Sequence, residues 1–303
     1  MSSNGTFDFD VAVIGGGSAG YAAANATARG GLRTVVIEGG AEVGGLCILR
    51  GCMPTKALLY AAEVKHLAEH AATWGIQVPE VRFDFAQVMA RKNAMIAEFA
   101  GYRRQQLEAG RFEFIRASAH FVDPHTVELD NGRRLTSAHF VLSTGSTTAV
   151  PPLPQLQTAG YLTSDDVMTL EQLPKSLIVL GGGAVAVEFA QFFARFDVQV
   201  TLLQRSPYLL RDFDPDAAQV VETVFRREGV ELCTGTRLLD ARLEGGMKRV
   251  SFEHEGQTRT VSAEEIFHGL GRSPNTGGLA LPQAGVTTAQ HGRIVANERM
   301  QTA

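Results

Sequence analysis

One local plan occurs twice in this 303-residue chain, and that repetition constrains the fold more than any other feature. Val11-Ala12-Val13-Ile14 is a short apolar run suited to a buried parallel strand. It leads into Gly15-Gly16-Gly17-Ser18-Ala19-Gly20, a helix of small residues to about Arg29, and a second strand, Thr34-Val35-Val36-Ile37. The same order returns at Leu177-Ile178-Val179-Leu180, followed by Gly181-Gly182-Gly183-Ala184-Val185-Ala186, a helix to about Phe196, and Val200-Thr201-Leu202-Leu203. Alternating strands and helices of this kind build an α/β fold around parallel strands.

The segments after the two copies are also alike. After the first come an amphipathic helix from Asp84 to about Gln106, short strands around Phe112–Ile115, a turn at Asp130-Asn131-Gly132 and a final strand Phe140-Val141-Leu142. After the second come a helix from Asp216 to Glu228, a strand Val230–Cys233, short strands near Val250 and Val261, and a final strand Ile266-Phe267-His268. We read an internal duplication. Pro151-Pro152-Leu153-Pro154 is expected to form a stiff, extended linker between the halves, giving domains over 1–150 and 151–273 and a return segment over 274–303.

Glycines at the first, third and sixth positions of the loop allow a sharp turn, a close backbone approach to a pyrophosphate and tight helix–strand contact. Gly15, Gly17 and Gly20 therefore point to a dinucleotide, with Glu38 at the end of the second strand as acceptor for ribose hydroxyls. In the second copy Gly181, Gly183 and Ala186 take these places, but no acid closes the strand. Gln204 and Arg205 stand there and Arg211 follows, which offers positive charge to a 2′-phosphate and favours NADPH over NADH. The competing reading is that both arginines are ordinary solvated side chains.

Between the two copies lies Gly44-Gly45-Leu46-Cys47-Ile48-Leu49-Arg50-Gly51-Cys52-Met53-Pro54-Thr55-Lys56. Two cysteines so spaced are too few for a zinc site, leaving a redox-active disulfide or two buried thiols that never meet. Pro54 reads as the first residue of a helix, which would place Cys52 at a helix N-terminus, where the dipole and nearby Lys56 favour a thiolate. The flanking glycine loops favour the redox reading. Two dinucleotide sites bracketing a dithiol imply a relay with a two-electron carrier, so the first site would hold FAD and the second NADPH. Cys233, on a predicted strand, reads as a core residue.

A net charge of −4 and a pI near 6.1 argue against nucleic acid or an anionic membrane as the main partner. No apolar run approaches the roughly 20 residues needed to span a bilayer. Three cysteines do not form the framework of a small secreted domain, so a small-molecule substrate in a cytoplasmic setting is expected. His66 and His70 lie one turn apart without a third ligand in view, and no metal site is assigned.

These motifs in this order resemble the class I pyridine nucleotide-disulfide oxidoreductases, the family of glutathione reductase, dihydrolipoamide dehydrogenase and mercuric reductase. Ser143-Thr144-Gly145-Ser146, Thr163-Ser164-Asp165-Asp166 and Gly271-Arg272-Ser273-Pro274-Asn275 extend the resemblance along the chain. It implies two Rossmann-like domains of the three-layer ββα type, each with a small antiparallel meander. It further implies that Cys52 is the thiolate against the flavin and Cys47 the interchange thiol. Lys56 would lie near the flavin and pair with Glu188. Ser18, Gly45, Ala119, Thr144, Gly145 and Ser146 would contact FAD, Arg205 and Arg211 would grip the 2′-phosphate, and Gly271 and Arg272 would lie near the second cofactor. The implied substrate is a disulfide or a thiol-bound metal, with dihydrolipoamide and NAD, or a nucleotide-binding fragment without turnover, as alternatives. Leu46 departs from the family's usual threonine, and Ala184 from the tyrosine of glutathione reductases, which is closer to the mercuric reductase branch. Full-length relatives are homodimers, and the chain is expected to stop before the domain that supplies the dimer contact and the acid–base histidine.

Overall fold

Val11 and Val13 face one apolar cluster, with Ala24, Val36, Leu107 and Phe112, while Ala12 and Ile14 face another, with Phe121, Val127 and Leu129. Burial on both faces is why this strand is apolar without alternation. The same division recurs later in the chain. Leu177 and Val179 face Phe189, Phe192 and Phe193, whereas Ile178 and Leu180 face Val250 and Phe252.

The computed structural model describes residues 7–302. In chain order, β1 (Phe9–Ile14), α1 (Ser18–Arg29) and β2 (Thr34–Ile37) are followed by α2 (Gly45–Leu49), α3 (Cys52–Glu69) and α4 (Phe85–Glu108). Then come β3 (Glu113–Ile115), β4 (Ala119–Asp123), β5 (Thr126–Leu129), β6 (Arg134–Leu142) and β7 (Ser146–Thr148). The second copy runs through α5 (Gln155–Ala159), α6 (Ser164–Val167), β8 (Ser176–Leu180), α7 (Ala184–Arg195) and β9 (Gln199–Leu203). It continues with α8 (Pro215–Arg227), β10 (Glu231–Cys233), β11 (Arg237–Glu244), β12 (Met247–His254), β13 (Gln257–Ala263), β14 (Glu265–His268) and β15 (Arg272–Pro274).

Two compact units result. One comprises the residues up to Cys52, Met95–Thr147 and those from Arg272 on; the other comprises Met53–Ala94 and Thr148–Gly271. The first contains a six-stranded sheet in the order β3-β2-β1-β6-β5-β4. β6 serves twice, pairing parallel with β1 through Ser137–Leu142 and antiparallel with β5 through Arg134–Thr136. The second unit has the parallel order β10-β9-β8-β14 and a separate antiparallel meander, β11-β12-β13. The two parallel cores thus share one topology, as expected of a duplication. The difference is that the single strand β6 is divided into β13 and β14 in the second copy.

Local chemistry explains the helix starts. Asp214 caps α8 through the Asp216 N–H, with Pro215 in the first turn, and Thr163 with Asp166 forms a capping box on α6. Three sequence expectations are corrected. α3 begins at Cys52, two residues before Pro54, since a proline in the first turn removes no N–H the helix needs. Pro154 is helical (φ −57°, ψ −32°) and starts α5, which buries Leu156 and Ala159, so the linker is not extended throughout. The strands near Val250 and Val261 are eight and seven residues long.

Candidate functional site

The first glycine loop lies against the end of β6 and the side chain of Glu38. Gly15 has φ +104°, and a Cβ there would sit 2.4 Å from the Ser143 carbonyl oxygen. Gly16 N–H donates to Glu38 Oε2 at 2.7 Å and Gly40 N–H to Oε1 at 2.6 Å. These bonds orient the carboxylate and leave each oxygen a lone pair for a hydroxyl. A Cβ on Gly45 would lie 2.5 Å from the Cα of Gly17, so two bare backbone segments converge at the N-terminus of α1, where exposed Ser18 begins the helix. Such a cradle fits a pyrophosphate.

The segment after β3 also meets this site. Ala117 N–H donates to the Glu38 carbonyl at 3.2 Å, and a Cβ on Gly39 would meet Ser118. Ala119 is buried in an apolar cluster. Ala117 and Ser118 thus also lie beside the acid, and the sequence did not single them out because nothing distinguishes them from neighbouring small residues. At the end of β6, the Thr144 and Gly145 carbonyls accept from Asn275. Arg272 Nε donates to Ser146 Oγ at 2.9 Å, which accounts for part of its guanidinium.

The dithiol segment is a short helix, a tight return and a long helix. Cys47 is half-buried in α2, and Arg50 N–H closes that turn on the Leu46 carbonyl at 2.9 Å. A Cβ at Gly51 would lie 2.9 Å from the Leu46 oxygen and 3.3 Å from Cys47 Cα, so only glycine lets the chain double back here. Exposed Cys52 is then the first residue of α3. One turn on, Lys56 pairs with Glu188 of α7.

The second glycine loop repeats the first with altered chemistry. Gly181 has φ +108° and lies against the Gly269 carbonyl as Gly15 lies against Ser143. A Cβ on Gly182 would meet Gln204 at 2.8 Å, and one on Gly16 would meet Glu38 at 3.1 Å, so buried Gln204 fills the acid's place. Gly183 has no neighbour within 4 Å of a Cβ, an open backbone face. Arg205, Arg211 and Gly271 are exposed. At the third glycine position the copies solve one packing problem in opposite ways. Gly20 lacks a Cβ and Ser143 places its hydroxyl on the Gly15 carbonyl at 2.9 Å; Ala186 carries a methyl and Gly269 lacks a side chain to meet it.

An ionic cluster joins α3, α7 and the end of α8, and sequence reasoning missed it. Arg195 bonds Glu63 and, through two nitrogens at 3.1 and 2.8 Å, Glu228. Burial alone would raise the Glu228 carboxyl, but the Arg195 hydrogen bonds and charge outweigh it and hold the pKa below the ordinary value. The His66 imidazole is held low, first by burial and then by Arg195, and its ring stacks on His70 at 4.2 Å. Lys65 is buried yet raised, because hydrogen bonds to Glu69 and Asp197 together overcome desolvation.

The remaining candidates are structural. Cys233 is buried and its thiol is pushed up by desolvation. His268 is buried between the Ala149 carbonyl and the Leu270 N–H, which fixes the neutral tautomer with the proton on Nε2. Among the described residues no group of three His, Cys, Asp or Glu could hold a metal ion, and no helix is long and apolar enough to cross a membrane.

Residues 9–303 match the family described as pyridine nucleotide-disulphide oxidoreductase. The chain is 33% identical over 296 residues to a mercuric reductase of Staphylococcus aureus, covering 97% of this chain and 54% of that protein. It is 30% identical over 309 residues to a dihydrolipoyl dehydrogenase of Bacillus subtilis (strain 168), covering 97% of this chain and 65% of that protein. Among solved structures, the HOCl-induced flavoprotein disulfide reductase RclA from Escherichia coli superposes with a TM-score of 0.83 at 28% identity, over 97% of this chain and 63% of its own. The chain thus spans about half the length of the mercuric reductase it matches. Two glycine cradles of one build, a dithiol segment leading into α3, and the match over nearly every residue place this chain in the pyridine nucleotide-disulphide oxidoreductase family.

Proposed function

We propose that this chain is the FAD- and NADPH-binding part of a disulfide reductase acting on a small disulfide or thiol-bound metal. The observation that carries the reading is Cys52 as first residue of α3, with the family's dithiol spacing to Cys47 and the Lys56–Glu188 pair one turn further on. FAD, when bound, supplies a carrier that accepts two electrons from a nicotinamide and passes them to a disulfide. The fit rests on the bare backbone at Gly17 and Gly45 and on the oriented carboxylate of Glu38.

The chain's own residues then divide the work. Glu38 would hold the adenosine ribose of FAD, and Lys56, balanced by Glu188, would supply a cation beside the flavin. With the dithiol reduced, the Cys47 thiolate attacks one sulfur of the substrate disulfide and expels the other as a thiolate. Cys52 attacks the Cys47 sulfur of that mixed disulfide, releasing the second thiolate and closing the Cys47–Cys52 bond. One NADPH and one proton per cycle reduce one disulfide to two thiols.

Gln204 in the acid's place, with Arg205 and Arg211 exposed beyond it, supports NADPH as donor. A second reading, dihydrolipoamide oxidation with NAD, is favoured by the dihydrolipoyl dehydrogenase relative. The test is an anaerobic titration of the FAD-reconstituted chain with NADPH and, separately, NADH. Faster flavin reduction by NADPH, followed by absorbance at longer wavelength than the oxidised peak, supports the proposal. Failure to retain FAD, or preference for NADH, would remove it.

A further inference from the structure

We infer that Glu222, on α8, is a positioning residue for selectivity between NADP(H) and NAD(H): it fixes the loop that carries Arg205 and Arg211. The inference rests on the reading of the second glycine loop as an NADP(H) site. Its basis is the way the loop backbone is held while both guanidinium groups remain exposed.

Every turn of the loop has an anchor. Gln204 Oε1 accepts from Arg205 N–H at 3.0 Å and its Nε2 donates to the Tyr208 carbonyl at 3.4 Å. The Ser206 carbonyl accepts from Gly235 N–H at 2.9 Å. Leu210, in the left-handed region at φ +49°, donates its N–H to the Gly182 carbonyl at 2.7 Å, tying the arginine loop to the glycine loop. Between these, the Leu209 side chain is fully buried and its N–H donates to Glu222 Oε1 at 2.8 Å.

Among the described residues, that last bond is the one anchor that a side chain from another element supplies. Glu222 is only 13% exposed, and its second oxygen meets Arg226 at 3.4 Å, so the carboxylate is already engaged by a backbone donor and a cation. Without an acceptor, the N–H of a buried residue would be left unpaired, and the chain would move to satisfy it. Arg205 and Arg211 lie on either side of Leu209. Holding the backbone between them means that a dianionic phosphate need not order the loop on binding, which is how preorganisation raises affinity. A nucleotide lacking the 2′-phosphate gains nothing from that arrangement, so the effect falls on selectivity.

The test uses isothermal titration of the FAD-loaded chain with NADP+ and with NAD+. Glu222→Met keeps the bulk of the side chain and removes the acceptor; it is expected to weaken NADP+ about tenfold, the effect of losing roughly one buried hydrogen bond, with NAD+ unchanged within about twofold. Glu222→Gln keeps an acceptor and is expected to retain the wild-type ratio of the two affinities. An unchanged ratio in Glu222→Met, or equal weakening of both nucleotides, would overturn the inference. Hydrogen exchange of the wild-type chain is a second measurement, independent of any variant: the Leu209 amide should be protected, and exchange at the rate of an exposed loop would also overturn it. A wild-type chain that binds both nucleotides equally would overturn the NADP(H) reading itself, before any variant is compared.

Discussion

Arg195 holds Glu63 at the same 132-residue offset that separates Glu188 from Lys56 and Asp197 from Lys65. A constant offset means that α3 and α7 run in the same direction, and the sign of the pairs alternates along them. Moving α3 by two turns would set Glu63 against Glu188, like charge against like. The pairs therefore specify one register, in the way charged flanking positions select register in coiled coils.

Removing Arg195 should be costly because Glu228 is only 10% exposed and would lose its cation. Arg195→Met is expected to destabilise the chain by about 3 kcal/mol, the usual scale for breaking one side of a buried ion pair. Urea unfolding followed by circular dichroism measures the loss. Adding Glu228→Gln should recover part of it, since the stranded charge is then gone.

The same pair sets a pH dependence. Glu228 is held below its ordinary 4.5 in the folded chain, so its contribution to stability is present above 4.5 and lost as pH falls through the folded value. In Arg195→Met the burial that raises the carboxyl is opposed only by the Gln191 hydrogen bond and the His66 charge, so the carboxyl should titrate higher than in the wild type and acidification should cost this variant less. Between neutral pH and 4.5 the Glu228 contribution in the wild type should stay level, and below 4.5 the melting temperature of the wild type should fall more steeply than that of Arg195→Met.

Two buried lysines provide a contrast at alkaline pH. Lys92, which donates to the Met168 carbonyl, is lowered by burial, so the wild type should gain stability relative to Lys92→Met as pH rises toward 10.5. Lys65 is raised, so its contribution is complete below 10.5 and lost as pH passes through the higher folded value. Wild type should accordingly lose stability relative to Lys65→Met above 10.5. Unfolding free energies at neutral pH and on both sides of 10.5 check the two signs.

Cys52→Ser should remove the long-wavelength absorbance that accompanies anaerobic reduction with NADPH while leaving flavin binding within about threefold of wild type, because an exposed hydroxyl in place of the thiol disturbs little packing. Cys47→Ser should keep that absorbance and lose disulfide turnover. Visible spectra and a thiol-release assay separate the two roles.

The parts of this chain that could be read from sequence are those in which local pattern and tertiary role coincide. β1 and β8 are legible because burial on both faces requires an unbroken apolar run, and the glycine loops because turn, approach and contact each demand a missing side chain. The strand β11 is not legible, since its exposed charged residues, among them Arg237, Arg242 and Glu244, interrupt any alternation. Lys56–Glu188 came into view only through resemblance to a family. Arg195–Glu63 and Glu222–Leu209 were missed because a polar residue whose partner lies on another element looks, in sequence, like any solvated side chain.

The exchange of Gly20 and Ser143 for Ala186 and Gly269 constrains how one copy could be converted into the other. In the first copy a Cβ at Gly20 would lie 1.8 Å from the Gly15 carbonyl oxygen as well as 2.7 Å from Ser143 Oγ, so emptying the Ser143 position alone does not make room for a methyl. Exchanging one arrangement for the other therefore also requires the backbone of the glycine loop to shift at the position of Gly15. An engineer grafting the second arrangement into the first copy must carry the glycine-loop backbone together with both residues.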